Sequence, residues 1–338
     1  MTATVLVTGG AGYVAGWQIV ELLKRGYAVR TTLRSRAREA ALTATLSKYI
    51  DPAGRLSFAI ADLTNDDGWD AAVAGCDYVL HVASPMGQDN PKNPDDLIIP
   101  AREGTLRVLR AAVKAGVKRV VMTSSLAAAF PKVAESSNND ESVWTDLKAS
   151  KVNAYRQSKV IAERAAWDFM KANGGRTEFV TVLPGAIFGP IQSKENLGSV
   201  LVIGRMLSGK MPRYPSIGLS ITDVRDLADI HIRAMEAPAA AGQRFIAVRD
   251  FMWMGEVCKE LRAKLGDKAG NVPTKQAPDI ALRIASIFDP AIRNLTPLLG
   301  RKTTYTSQKA QGMLGWKPRP GAETVVDCAR SLVEFGAV

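Results

Sequence analysis

The chain has 338 residues, 46% of them apolar, enough for two domains or for one large domain with a lobe. A formal charge of +11 invites nucleic acid or an anionic membrane as partner, but the basic residues run from Arg25 to Arg330 without an aromatic-interleaved patch, and no apolar run nears the ~20 residues of a spanning helix. Three scattered cysteines, Cys76, Cys258 and Cys328, and two histidines, His81 and His231, exclude a disulfide framework and any recognisable metal site.

The first predicted element is a strand, Thr4 to Val7, ending in Thr8-Gly9-Gly10-Ala11-Gly12. Apolar residues then recur at helical spacing, Val14, Trp17, Ile19, Val20, Leu22 and Leu23, up to Arg25-Gly26. Strand, tight turn and helix make a dinucleotide-binding signature. Gly9 permits the turn, and Gly12 lets the backbone approach a pyrophosphate at the helix N-terminus, with Thr8, Tyr13 and Val14 beside it. The spacing departs from G-x-G-x-x-G, since two residues separate Gly9 from Gly12 and Ala15 takes the third small position. Met1-Thr-Ala-Thr leads straight into the strand, so the expectation is a soluble cytoplasmic protein without a leader.

Strand and helix signals then alternate. Strands are expected at Ala28 to Leu33, Leu56 to Ile60, Tyr78 to Val82, Val120 to Thr123 and Phe179 to Leu183, with helices between them, notably Leu97 to Ala115. This order predicts an α/β fold, a parallel, doubly wound, Rossmann-like sheet whose ligands bind beyond the carboxyl ends of the strands. The second strand ends among Arg30, Arg34, Arg36 and Arg38, with no acid before Glu39. An NAD-binding chain is expected to place an acid there for the ribose hydroxyl, whereas a guanidinium holds a 2′-phosphate through paired hydrogen bonds. Arg34 is therefore the expected phosphate ligand, and NADP, as NADPH, the expected cofactor. Past the third strand Asp62 and Leu63 are placed to meet the adenine; past the fourth, Val82, Ala83 and Ser84 run beneath the cofactor's middle. His81, at that strand's end, reads as structural.

Val121-Met-Thr-Ser-Ser125 closes the fifth strand with hydroxyls, and Tyr155 and Lys159 fall on the next predicted helix, Lys151 to Lys171. Four residues apart, they share one helix face. A phenol titrating near ~10 is a poor acid at neutral pH, and a neighbouring ammonium favours its phenolate, which brings it closer to working range. The stretch 136–141 reads as a polar loop. Beyond Pro184 the chain changes character: Gly, Pro and Ser punctuate Pro190 to Gly218, helices are expected at Asp226 to Glu236 and Glu256 to Leu265, and two more lie around Gly315-Trp-Lys-Pro318. The expected division is a dinucleotide-binding domain over 1–184, with 219–248 packing back onto it, and over 185–338 mainly a substrate-binding lobe and C-terminal helices.

The ordered set resembles the extended short-chain dehydrogenase/reductases, which carry a Thr-Gly-x-x-Gly-x-x-Gly/Ala opening and a Ser, Tyr-x-x-x-Lys catalytic set. Within them it is most similar to the group of dihydroflavonol reductases, cinnamoyl-CoA reductases and yeast-type aldehyde and methylglyoxal reductases. The resemblance runs nearly end to end, through Gly75-Cys-Asp-Tyr-Val-Leu-His-Val-Ala-Ser-Pro85, Thr123-Ser-Ser125, Tyr155-Arg-Gln-Ser-Lys159, Leu183-Pro-Gly185, Asp223-Val-Arg-Asp-Leu-Ala228 and Leu314-Gly-Trp-Lys-Pro318. It implies Ser125 as the carbonyl-orienting serine, with Ser124 in reserve, Tyr155 as general acid and Lys159 as both ribose ligand and promoter of the proton transfer. It also implies Pro184 and Gly185 beside the nicotinamide, and hydride transfer from NADPH to a carbonyl carbon. Asn153-Ala154 replaces the longer aromatic and cysteine-bearing signature of plant cinnamoyl-CoA reductases, and Phe130 ends the stretch where dihydroflavonol reductases place an amide. The first departure counts against a CoA thioester and the second against a flavonoid, and Asn-Ala-Tyr is more like the yeast-type aldehyde reductases. Pro85, Met86, Phe130 and Ile187 are then expected to line an apolar pocket for a hydrophobic or aromatic ketone or aldehyde. Two other readings stand beside this one: a nucleotide-sugar epimerase or dehydratase that retains NAD, against which Arg34 argues, and a non-catalytic NADP sensor, which would lack Tyr155. The resemblance leaves monomer and homodimer open.

Overall fold

In the computed structural model, residues 2–85, 91, 93–132, 136–149, 152–195 and 197–338 are described. In chain order the first half runs β1 (Thr4–Val7), α1 (Tyr13–Lys24), β2 (Ala28–Leu33), α2 (Glu39–Leu46), β3 (Leu56–Ile60), α3 (Trp69–Val73), β4 (Tyr78–His81), α4 (Asp95–Ala115), β5 (Arg119–Thr123), β6 (Ser136–Asn139), α5 (Ala154–Asn173) and β7 (Glu178–Pro184). The second half runs β8 (Ala186–Phe188), α6 (Val200–Leu207), β9 (Gly218–Asp223), α7 (Val224–Glu236), β10 (Arg244–Ala247), β11 (Asp250–Trp253), α8 (Met254–Leu265), α9 (Asp279–Phe288), α10 (Pro290–Leu295), β12 (Thr303–Tyr305), α11 (Gln308–Leu314) and α12 (Gly321–Glu334).

Seven strands form one parallel sheet in the order β10-β7-β5-β4-β1-β2-β3. Apolar side chains of α1 and α7 cover one face and those of α3, α4 and α5 the other. That double cover is why β1, β5 and β7 read as continuous apolar runs rather than alternating ones. The strand order reverses between β1 and β4, which opens a crevice at their carboxyl ends. The sheet is the doubly wound one that the strand and helix signals predict, extended at one edge by β10.

The segment 219–248 divides. Helix α7 packs against α1, and β10 pairs with β7, whereas β9 joins a second sheet, parallel to β8 and antiparallel to β11. Around that small sheet α6, α8 and α12 build a separate apolar core that includes Phe188, Ile203, Val257 and Leu332. The Gly315-Trp-Lys-Pro318 turn is tied to the main body by Trp316, which is fully buried and donates Nε1–H to the Asp226 carbonyl at 2.9 Å.

One expectation is corrected. The polar stretch 136–141 is a strand over its first four residues: β6 pairs in parallel with β12, Ser136 opposite Thr303 and Asn139 opposite Tyr305. The Asn139 side-chain amide also donates to the Thr304 carbonyl at 2.8 Å. A strand held by backbone and amide hydrogen bonds has no apolar alternation to betray it.

Candidate active site

A cleft of about 1030 Å³ runs across the carboxyl ends of the sheet and under the small sheet. Its floor begins at Gly9, whose φ of +74° suits glycine and where a Cβ would come within 3.0 Å of the Ala83 methyl. A Cβ at Gly12 would meet the Gly9 carbonyl at 3.1 Å. Gly12 then precedes α1 without a side-chain cap, so the first-turn N–H groups of Tyr13 and Val14 stay available at the cleft. An anion of pyrophosphate type fits this cradle: there is room for backbone to approach it, and the helix dipole favours it.

Thr8, expected at the cofactor, does not line the cleft. It is fully buried, and its Oγ1 accepts the N–H groups of Val82 and Ala83 at 3.0 and 2.9 Å. Its own proton therefore goes to His81 Nδ1, 3.0 Å away. Thr8 is the strut that holds the β1 and β4 ends in register. Burial, with a smaller contribution from the Lys159 charge, pushes His81 down to about 3, so the ring is a neutral acceptor, in keeping with a structural role.

Arg34 is exposed just past β2 and lines the cleft together with Arg38, which pairs with Glu195 at 3.0 Å. Arg30, in contrast, points away and donates to the Ala72 and Ala74 carbonyls at the end of α3. Asp62 and Leu63 lie at the same end of the cleft. The Asp62 carboxylate accepts the Thr64 N–H at 2.8 Å, which holds it below the usual carboxylate range, with weaker help from the Thr64 hydroxyl and the Arg34 charge. Leu63 is fixed through its carbonyl by Arg107 at 2.8 Å. Val82, Ala83, Ser84, Pro184 and Gly185 continue the lining, and the Gly185 N–H is anchored on Thr222 Oγ1 at 2.9 Å.

Helix α5 begins at Ala154, not Lys151, because the Asn153 side chain accepts the Arg156 N–H at 2.9 Å and caps it there; Lys151 itself lies outside the described residues. Tyr155 thereby falls in the first turn, 43% exposed and facing the cleft. Lys159 Nζ sits 5.6 Å from the centre of its ring and donates to Ser84 Oγ at 2.8 Å. The two serines after β5 have separate duties. Ser124 is buried and donates to the fully buried Glu163 at 2.6 Å, and Glu163 also holds Thr181 at 2.9 Å and Arg244 at 2.8 Å. Both serines border the cleft, but the Ser125 Oγ accepts the Ala127 N–H at 3.1 Å and keeps its own proton to give, whereas that of Ser124 is spent on Glu163. Behind them His231, held to about 4 by burial, accepts from Thr123 Oγ1 at 2.7 Å through Nε2 and donates Nδ1–H to the Leu227 carbonyl.

At the far end, Pro85, Phe130 and Ile187 line the cleft, and Met86 lies outside the described residues. The wall is not simply apolar. The Phe130 ring carries the Arg156 guanidinium at 3.7 Å and that of Arg301 at 4.1 Å, and Tyr305 and Leu298 complete this end. Sequence reasoning missed Asn153, Arg156, Arg301 and Tyr305. Asn153 carried a readable signal, an N-cap amide ahead of a helical run. Arg301 and Tyr305 carried none, since they come to the site from the far end of the chain, on and just ahead of β12, which pairs with β6.

The profile of the NAD dependent epimerase/dehydratase family matches residues 5–248. Cinnamoyl-CoA reductase 2 of Arabidopsis thaliana is 34% identical over 337 residues, covering 98% of this chain and 93% of that protein. Tetraketide alpha-pyrone reductase 1 of the same plant is 34% identical over 342 residues, covering 98% and 96%. Among solved structures, yeast methylglyoxal/isovaleraldehyde reductase Gre2 complexed with NADPH matches with a TM-score of 0.82 at 27% identity, covering 99% of this chain and 100% of that one. With its sheet order, its glycine turn and its Tyr155/Lys159 pair, the chain belongs to the NAD dependent epimerase/dehydratase family, on the reductase side of the extended short-chain dehydrogenase/reductases.

Proposed function

We propose that this protein, an NADPH-dependent reductase of the extended short-chain type, reduces a hydrophobic or aromatic ketone or aldehyde to its alcohol, with Tyr155 as proton donor. The observation that carries the reading is that Ser125, Tyr155 and Lys159 line the same cleft as Gly9, Gly12 and Arg34. The α1 N-terminus would hold the pyrophosphate, Arg34 the 2′-phosphate, Asp62 and Leu63 the adenine, and Pro184 with Gly185 the nicotinamide. The cofactor supplies the hydride when bound. Ser125 donates its proton as a hydrogen bond to the carbonyl oxygen, where charge develops. Tyr155 gives its phenolic proton to that oxygen, and the Lys159 ammonium, steadied by Ser84, stabilises the phenolate left behind. On this reading the main sheet with α1–α5, α7 and β10 is the cofactor domain, and the small sheet with α6, α8 and α12 is the substrate lobe.

The test is oxidation of NADPH and NADH, in parallel, with a panel of aryl ketones, aliphatic aldehydes and diketones. Faster NADPH oxidation with apolar carbonyls is expected. Silence across the panel, with NADPH still bound, would overturn the reading.

A further inference from the structure

Buried and half-buried arginines elsewhere in the molecule have their guanidinium groups held by carboxylates or backbone carbonyls of the chain itself, Arg30 and Arg55 by carbonyls without a carboxylate. Arg119 pairs with Glu178 at 2.5 Å and caps the Ala234, Met235 and Ala237 carbonyls; Arg244 pairs with Glu163, and Arg225 with Asp223 and Asp327. Arg156 departs from this pattern. It is half-buried on the cleft wall, its guanidinium lies on the Phe130 ring at 3.7 Å, and among the described residues it forms no ion pair. Burial, and in smaller part the Arg301 charge, pushes it down from its ordinary value. Arg301 stands on the same ring at 4.1 Å but is itself held, donating to the Pro131 carbonyl at 2.5 Å and to Thr303 Oγ1 at 3.2 Å. The neighbouring phenol, Tyr305, is pushed up by burial and remains neutral, so it supplies Arg156 no counter-charge. A cation in such a wall is costly unless an anion joins it. Ser125 and Tyr155 line the same cleft, and Tyr155 is adjacent to Arg156 on α5.

We propose that the physiological carbonyl compound carries a carboxylate, which the Arg156 guanidinium binds on the Phe130 platform beside Arg301 while its carbonyl lies at Ser125 and Tyr155. The inference rests on the reductase reading and narrows it from an apolar carbonyl compound to an aromatic or apolar oxo-acid. A planar guanidinium fork suits a carboxylate, and the aromatic ring beneath it suits the apolar remainder of such a substrate.

The test compares 4-acetylbenzoate with its neutral near-isostere 4-acetylbenzamide, as the ratio of their kcat/KM values with NADPH. In the wild type the acid is expected to be favoured by about 10-fold or more, the size of one charge-assisted hydrogen bond. Arg156→Gln should bring the ratio to about 1, while Arg176→Gln, an exposed arginine that does not line the cleft, should leave it in place. A wild-type ratio near 1, or a ratio that Arg156→Gln leaves intact, overturns the proposal. Should Arg156→Gln fail to fold, Arg156→Lys, which keeps the charge and loses the fork, must still lower the ratio. Calorimetric titration of the NADP-loaded wild type with 4-isopropylbenzoate and its amide separates the two readings. If no carbonyl is reduced but the acid binds about 10-fold tighter than the amide, the anion site stands and the reductase reading falls. Equal binding of acid and amide overturns the anion site whatever the enzyme reduces.

Discussion

At the β1–β4 end of the cleft the surface offered to a ligand is mostly backbone: Gly9, Gly12, the open first turn of α1, and strand ends held by Thr8. At the other end it is side chains, Phe130, Arg156, Arg301 and Tyr305, brought together from three separate stretches of sequence. The first surface follows from parallel-sheet geometry and suits one kind of ligand. The second can be rewritten by single substitutions that leave the sheet alone. A scaffold with one fixed and one editable end can keep its cofactor chemistry while its substrate changes.

The comparison breaks first at the residue between the two ends. Tyr155→Phe should lower kcat by about 10²–10⁴-fold, the usual contribution of a positioned general acid, and leave NADPH affinity measured by fluorescence nearly unchanged. Undiminished turnover would remove Tyr155 from its role. Ser125→Ala should lower kcat by about 10²-fold with little change in melting temperature. Ser124→Ala should do the reverse, because it strips a hydrogen bond from the fully buried Glu163 and costs about 1–3 kcal/mol of stability. If both serines behave alike, the division of labour between them is wrong. Arg34→Ala should weaken NADPH by about 10-fold and NADH far less, as the loss of a charge-assisted phosphate contact requires. Equal losses for both cofactors would move the phosphate elsewhere.

A pH effect, on stability rather than turnover, concerns the buried histidines behind the floor. His81 and His231 are held at about 3 and about 4, whereas in the unfolded chain they titrate near ~6.5. Below that value the unfolded chain takes up protons that the native one refuses, so stability is full above pH ~6.5 and falls as the pH drops, by about 1.4 kcal/mol per unit for each histidine. Urea midpoints at pH 7 and pH 5 measure the slope. His231→Gln should lose less between the two than the wild type, and an identical slope would show that this histidine is not the linked group.

What could be read from the sequence divides along the same line. Gly9-Gly10-Ala11-Gly12 and the i, i+4 pair Tyr155/Lys159 are local patterns whose geometry is fixed by one turn or one helix, so their place in the cleft could be foreseen. Thr8 shows the boundary of that method. It has the right position for a cofactor contact, but its hydroxyl is consumed by two backbone amides and a histidine 73 residues away. The far wall was illegible for a different reason. No local pattern tells that Arg156 lies on the Phe130 ring, 26 positions earlier in the chain, and Tyr305 arrives through a strand pairing between two polar segments, with Arg301 just ahead of that strand.

That pairing of β6 with β12 also sets a timetable. A chain emerging from the ribosome can finish β1 to β5 and α5, and with them Ser125, Tyr155 and Lys159, long before residue 303 exists. Through that interval the proposed catalytic residues lie beside a far wall that holds Phe130 and Arg156 but not yet Arg301 and Tyr305, and β6 lacks the strand it pairs with. Only when residues 301–305 dock does the cleft gain its second arginine and its Tyr305 wall. On the proposed reading the substrate end is thus the last part of the cleft to be completed, after the glycine turn and the α1 N-terminus.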